Sequence, residues 1–94
     1  MHEFINRYKH AYAGVITVPS GTYADGAAAN TVTFNIKGLT TGAVVQLTAN
    51  NAVAGDFDAE GLHATPTADT LTLTFDDITP ASDAKFFVCI YEPN

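Results

Sequence analysis

The sequence predicts an all-β fold: a small antiparallel β-sandwich or barrel of about six to seven strands, preceded by an N-terminal arm. Three observations carry this. Apolar and polar residues alternate in segment after segment of the 94 residues, those segments are rich in Val, Ile, Phe and Thr, and Gly, Pro, Asn and Asp separate them at short intervals. Alternation has the period of a pleated strand, and many short strands with frequent turns form sandwiches or small barrels. The length allows one domain, so residues 1–12 are assigned to the arm and residues 13–94 to a single β domain.

In the arm, Phe4, Tyr8 and Tyr12 recur every four residues with Ile5 alongside, the spacing of one face of a short helix. An isolated helix of that length is marginal in water. Two readings follow: the aromatic stripe folds back onto the protein's own sheet, or the arm reaches a neighbouring subunit or a larger partner. The first strand spans residues 13–18 and is stopped by Pro19-Ser20-Gly21. Residues 31–37 follow, with Val32, Phe34 and Ile36 on one face and Thr31, Thr33, Asn35 and Lys37 on the other. Residues 44–49 place Val45, Leu47 and Ala49 opposite Gln46 and Thr48, and residues 62–65 add a short strand before Pro66. In residues 69–76, Leu71, Leu73 and Phe75 point inward and Thr70, Thr72 and Thr74 outward. The last strand, residues 85–91, departs from the pattern, because Phe86, Val88 and Ile90 alternate with Phe87, Cys89 and Tyr91 and both faces are apolar. Either it is a central strand covered by a second sheet and the arm, or Phe87, Cys89 and Tyr91 form an oligomer interface.

Composition narrows the function. The net charge is −6, which disfavours nucleic acid and anionic membrane surfaces as partners. Charge is also uneven: residues 1–10 hold Arg7 and Lys9 against Glu3, whereas residues 11–94 hold Lys37 and Lys85 against nine carboxylates. Of the hydrophobic residues 15 are Ala and 29 are larger, a thin core for a chain that buries only about 60–65% of its unfolded surface. The single Cys89 excludes an internal disulfide and reads as a buried structural thiol in a protein made in a reducing cytosol. The first residues lack the apolar core of a secretory signal, and no run approaches the ~18 apolar residues of a membrane helix.

Residues 55–61, Gly-Asp-Phe-Asp-Ala-Glu-Gly, place Asp56, Asp58 and Glu60 at alternate positions before a Gly, as in the first half of a calcium loop. The twelfth position is Thr67, where such a loop needs a bidentate Glu. The three carboxylates are therefore a weak metal candidate beside the plainer reading of a solvated acidic loop. His63 has no ligand cluster near it, and Ser20 and Ser82 have no base in a suggestive position. No phosphate loop, CxxC or HExxH occurs. The expectation is a non-enzymatic protein without a cofactor. Tyr23 is the one exposed aromatic candidate in the body, and the absence of Trp argues against a glycan platform.

Four segments then carry a resemblance. Asp25-Gly26-Ala27-Ala28 leads into a strand, Gly61-Leu62 follows, then Ala68-Asp69-Thr70-Leu71-Thr72, and residues 81–88 close on Phe86-Phe87-Val88. In this order the stretch from residue 18 to residue 91 resembles the small virion structural proteins of tailed bacteriophages. The resemblance implies a capsid decoration or cement protein that coats or stabilises the head, with a tail, neck or head-fibre component as the alternative. It implies location in the virion after synthesis in the host cytoplasm, contact with the major capsid protein or another virion protein, and a homo-oligomer, with a trimer favoured. The resemblance does not extend to the arm; from their own aromatic and basic character, Phe4, Ile5, Arg7, Tyr8, Lys9 and Tyr12 are expected to contact the capsid or a neighbouring subunit. A small Ca²⁺- or glycan-binding module and a host-directed inhibitor are the rival classes.

Overall fold

A computed structural model describes residues 8–24, 26 and 28–93, and the side chains of residues 12–24, 26 and 28–92. Six strands and one helix follow in the order β1 (Tyr8–Val18), β2 (Asn30–Asn35), β3 (Val44–Ala49), α1 (Ala52–Asp58), β4 (His63–Thr67), β5 (Thr70–Phe75) and β6 (Ala84–Pro93). They form two three-stranded antiparallel sheets, β1-β6-β3 and β2-β5-β4, packed together as a sandwich with no closed barrel. The chain changes sheet at every connection except the β4–β5 hairpin.

The alternation foreseen from sequence builds the core. Leu71, Leu73 and Phe75 of β5 face Phe86, Val88 and Ile90 of β6, each strand being the centre of its sheet, and Ile16, Val18 and Leu39 complete the apolar layer. Thr70, Thr72 and Thr74 lie half-buried on the far side of β5, flanked across the strands by Thr31, Thr33, Thr65 and Thr67. Hydroxyl and methyl groups on one β-branched side chain suit such a pleated, solvated face.

Four differences from the sequence reading have physical causes. First, β1 starts at Tyr8, five residues earlier than expected, and crosses the boundary set between arm and domain. Residues 8–12 are extended and pair with residues 90–93 of β6, so the four-residue aromatic spacing does not form a helix over that part. Ladder hydrogen bonds to β6 satisfy the backbone groups that face it, and a free short helix in water is marginal.

Second, residues 52–58 are helical and so take in the first part of residues 55–61, where a solvated acidic loop was expected. Asn51 caps the helix by accepting from the Ala54 amide at 2.9 Å, and Ala54 and Phe57, three apart on one face, are fully buried. Phe57 sets its ring edge-on against Phe75 at 4.8 Å, Phe86 at 6.0 Å and Tyr23 at 6.3 Å between centroids. The helix thus supplies one large side chain to a core short of them.

Third, Pro66 lies inside β4 rather than after it. β4 is an edge strand, where a residue without an N–H is tolerated. Fourth, Asp69, expected to open the strand of residues 69–76, lies instead in the turn at residues 68–69, which is tied to the β2–β3 connection. Asp69 adopts φ 58°, its carboxylate accepts from the Gly38 amide at 2.7 Å, and its own amide donates to the Leu39 carbonyl at 2.9 Å. Asp tolerates the left-handed region better than most residues because its short side chain bonds locally. Gly38, with φ 91°, needs its lack of a Cβ at the same junction.

Candidate protein-contact face

Opposed residues of antiparallel strands share a face, so the register assigns every side chain of the β1-β6-β3 sheet. Ile16, Val18, Phe86, Val88 and Ile90 point into the sandwich. Val15 pairs with Phe87, which pairs in turn with Thr48; Ala13 pairs with Cys89 and then Gln46; Tyr91 pairs with Val44. These side chains point away from the core. Val15 is 53% exposed, Val44 45% and Phe87 40%, while Cys89 and Tyr91 are half-buried by their neighbours.

Phe87, Cys89 and Tyr91, singled out from sequence, therefore lie in line on one strand face, joined by Val15 and Val44 from the two flanking strands. β6 is the central strand expected in one of the two readings, but the paired part of β1 runs beside it and does not cover this face. Lys85 is the charged residue of β6 on this side, and among the described residues the face carries no carboxylate. Of the carboxylates in the described body, Asp56 and Asp58 are on α1, Glu60, Asp69, Asp76, Asp77 and Asp83 are in connections, and Glu92 points inward, buried and bonded by the Thr40 hydroxyl. One side of the sandwich is thus polar with Thr, and the other is apolar in a protein of charge −6. Val15 and Phe87 were separated in the sequence reading, and only strand pairing brings them together.

The other candidates fall elsewhere. Phe4, Ile5 and Arg7 lie outside the described residues, and Tyr8 and Lys9 are placed by their backbone in β1. Tyr12 pairs with Ile90, on the inward side of the sheet, where it lines a recess of about 180 Å³ with Ile36, Leu39, Ala43 and Glu92. Its ring also lies over Gly14, where an added Cβ would meet the phenol oxygen at 3.1 Å.

Asp56 and Asp58 are two residues apart on a helix, roughly 200° around its axis, so their carboxylates diverge rather than converge on one ion. Glu60 lies beyond the helix end, and no group of three or more metal-ligating side chains stands together among the described residues. A calcium loop needs backbone that curls around the cation, which helical geometry precludes. His63 is exposed with its Nδ1 3.2 Å from the Gly61 carbonyl. Tyr23 is not an open platform. Its hydroxyl donates to the Pro19 carbonyl at 2.7 Å, its ring stands edge-on to Phe75 at 5.2 Å, and its backbone bridges Ile78 through two 2.8 Å bonds. Burial, with a smaller contribution from the Asp83 carboxylate, raises its phenol above the ordinary value of 10.0.

No protein-family model, no curated protein and no solved structure matches the chain.

Proposed function

We propose that the protein is a non-enzymatic assembly component, and that the outward face of the β1-β6-β3 sheet is the surface by which it attaches to a larger protein shell. The observation that carries this reading is the line of Phe87, Cys89 and Tyr91 flanked by Val15 and Val44, without a described carboxylate, on an otherwise acidic body. Contiguous apolar surface of this kind marks protein contacts, and aromatic residues at their centre contribute most of the binding energy. A sheet face is also flat and rigid, which suits a contact repeated many times over a regular shell. The resemblance of the 18–91 stretch to small phage virion proteins supplies the setting: a decoration or cement protein on a tailed-phage head, contacting the major capsid protein and present as a homo-oligomer.

Quantifying the chain in intact particles of the virus that encodes it tests this directly. Hundreds of copies per particle are expected for a head decoration protein. A handful would move the role to the tail, neck or a fibre, and absence from particles would overturn the virion role. In the same assay Phe87→Glu, which places a charge at the centre of the face while leaving the core untouched, is expected to abolish incorporation.

A further inference from the structure

The β1-β6-β3 sheet has two edges, and they differ. β3 packs beside β4 and α1, whereas β1 is hydrogen-bonded to β6 on one side and to no described strand on the other. β1 is also the longest strand, 11 residues. Long exposed edges invite pairing, and monomeric proteins blunt them with inward charges, Pro or bulges. β4 follows that rule with Pro66. From Ala11 to Val18, β1 has neither charge nor Pro, and its one register irregularity lies outside this stretch, between Tyr8 and His10.

The order of residues along this edge is self-complementary. The first half is small at Ala11, Ala13 and Gly14, and the second half is β-branched at Val15, Ile16, Thr17 and Val18. An antiparallel copy of the same strand can set Ala13 and Gly14 opposite branched residues. A two-fold axis perpendicular to the sheet must keep outward residues opposite outward residues, so it passes through a residue position and not between two. Centred on Val15, it sets Ala13 opposite Thr17, Gly14 opposite Ile16 and Tyr12 opposite Val18. The edge is free of charge over residues 11–18, so pairing brings no like charges together there.

We infer that β1 pairs antiparallel with β1 of a second copy about a two-fold axis at Val15, joining the two three-stranded sheets into one continuous six-stranded sheet. The overlap, residues 12–18 of each copy, is roughly 24 Å long at about 3.4 Å per residue. It doubles the apolar outward face, since Val15 of each copy adjoins the other. A single strand edge is smaller than the ~800 Å² per partner of a standard interface, so the dimer is reversible in solution. The arrangement is two-fold, in place of the trimer expected from sequence. It takes its setting from the assembly role proposed above, but it uses the sheet's edge and not its face.

Sedimentation equilibrium of the full chain from 5 to about 500 µM is expected to show a monomer–dimer equilibrium. Amide hydrogen exchange should report protection over residues 11–18 that rises with concentration. Val15→Glu brings two carboxylates together at the axis and should weaken the dimer at least tenfold with an unchanged thermal melt. Phe87→Glu, one strand away, should leave dimerisation within about threefold of wild type even though it abolishes incorporation into particles. A chain that stays monomeric throughout, a trimer, or a Val15→Glu protein that dimerises like wild type overturns the pairing. So does a dimer that Phe87→Glu dissolves while the amides of residues 11–18 exchange as in the monomer, since that dimer stacks through the face. None of these outcomes alters the particle assay, so the two readings fail separately.

Discussion

Replacing Phe57 with Ala tests the assignment of residues 52–58 to a helix that completes the core. Phe57 is fully buried and meets the rings of Tyr23, Phe75 and Phe86 edge-on, at centroid separations of 4.8 to 6.3 Å. Truncating a buried Phe to Ala costs about 3–5 kcal/mol in transfer and cavity terms. Edge-to-face pairs contribute about 0.5–1.5 kcal/mol each beyond area burial, which favours the upper end of that range. A chain of 94 residues has roughly 5–14 kcal/mol in total at about 0.05–0.15 kcal/mol per residue. The variant should therefore lose a large share of its stability. Since 1 kcal/mol shifts the midpoint by about 4–8 °C in a domain of this size, Tm should fall by at least about 12 °C. Differential scanning calorimetry measures this, with Asp58→Asn as the control: Asp58 is exposed at the end of α1, and its change should remain within about 0.5 kcal/mol. A Phe57→Ala midpoint within about 3 °C of wild type would refute the packing of α1 and favour the solvated loop expected over residues 55–61.

Two further predictions concern the polar clamps. Asn51 accepts from the Ala54 and Lys85 amides and donates to the Asp83 carbonyl, tying the start of α1 to the start of β6. Asn51→Ala should cost about 1–2 kcal/mol, read as a lower urea midpoint at unchanged slope, and a loss below about 0.3 kcal/mol would mean that water replaces the clamp. Tyr23 has a raised phenol pKa in the folded state, caused first by burial and then by Asp83. Its contribution is therefore complete below the unfolded value of 10.0 and is lost as pH rises through the folded value. Wild-type stability should fall across that alkaline window more steeply than that of Tyr23→Phe, and parallel curves would contradict the assignment.

How much of this was legible in the sequence varied from element to element. The strands at residues 30–35 and 70–75 were plain, because Val32 and Phe34, and Leu71, Leu73 and Phe75, recur at the strand period and their neighbours are Thr or Asn. α1 was hidden. Asn51 before Ala-Val-Ala, with Ala54 and Phe57 on one helical face, is a capping and burial signal, but Gly55 and alternating carboxylates at Asp56, Asp58 and Glu60 carry the stronger signature of a loop. Tertiary burial of Phe57 decides between them. Tyr8 and Tyr12 gave a helical spacing that local propensity could not sustain against a ready partner strand in β6.

For the contact face, the sequence by itself determined that Phe87, Cys89 and Tyr91 share a side of one strand, because pleating gives side chains a period of two whatever surrounds them. It also determined that this side is apolar and that the body is acidic. Only the tertiary structure decided which side of β6 meets the second sheet, and hence that Phe86, Val88 and Ile90 are buried while Phe87 is left at the surface. Strand pairing likewise brought Val15 and Val44 beside it and left β1 at an open edge. Alternation is local and can be read from neighbours along the chain. Coverage depends on contacts between residues more than seventy positions apart, such as Val15 and Phe87, and those form only when the sheets assemble.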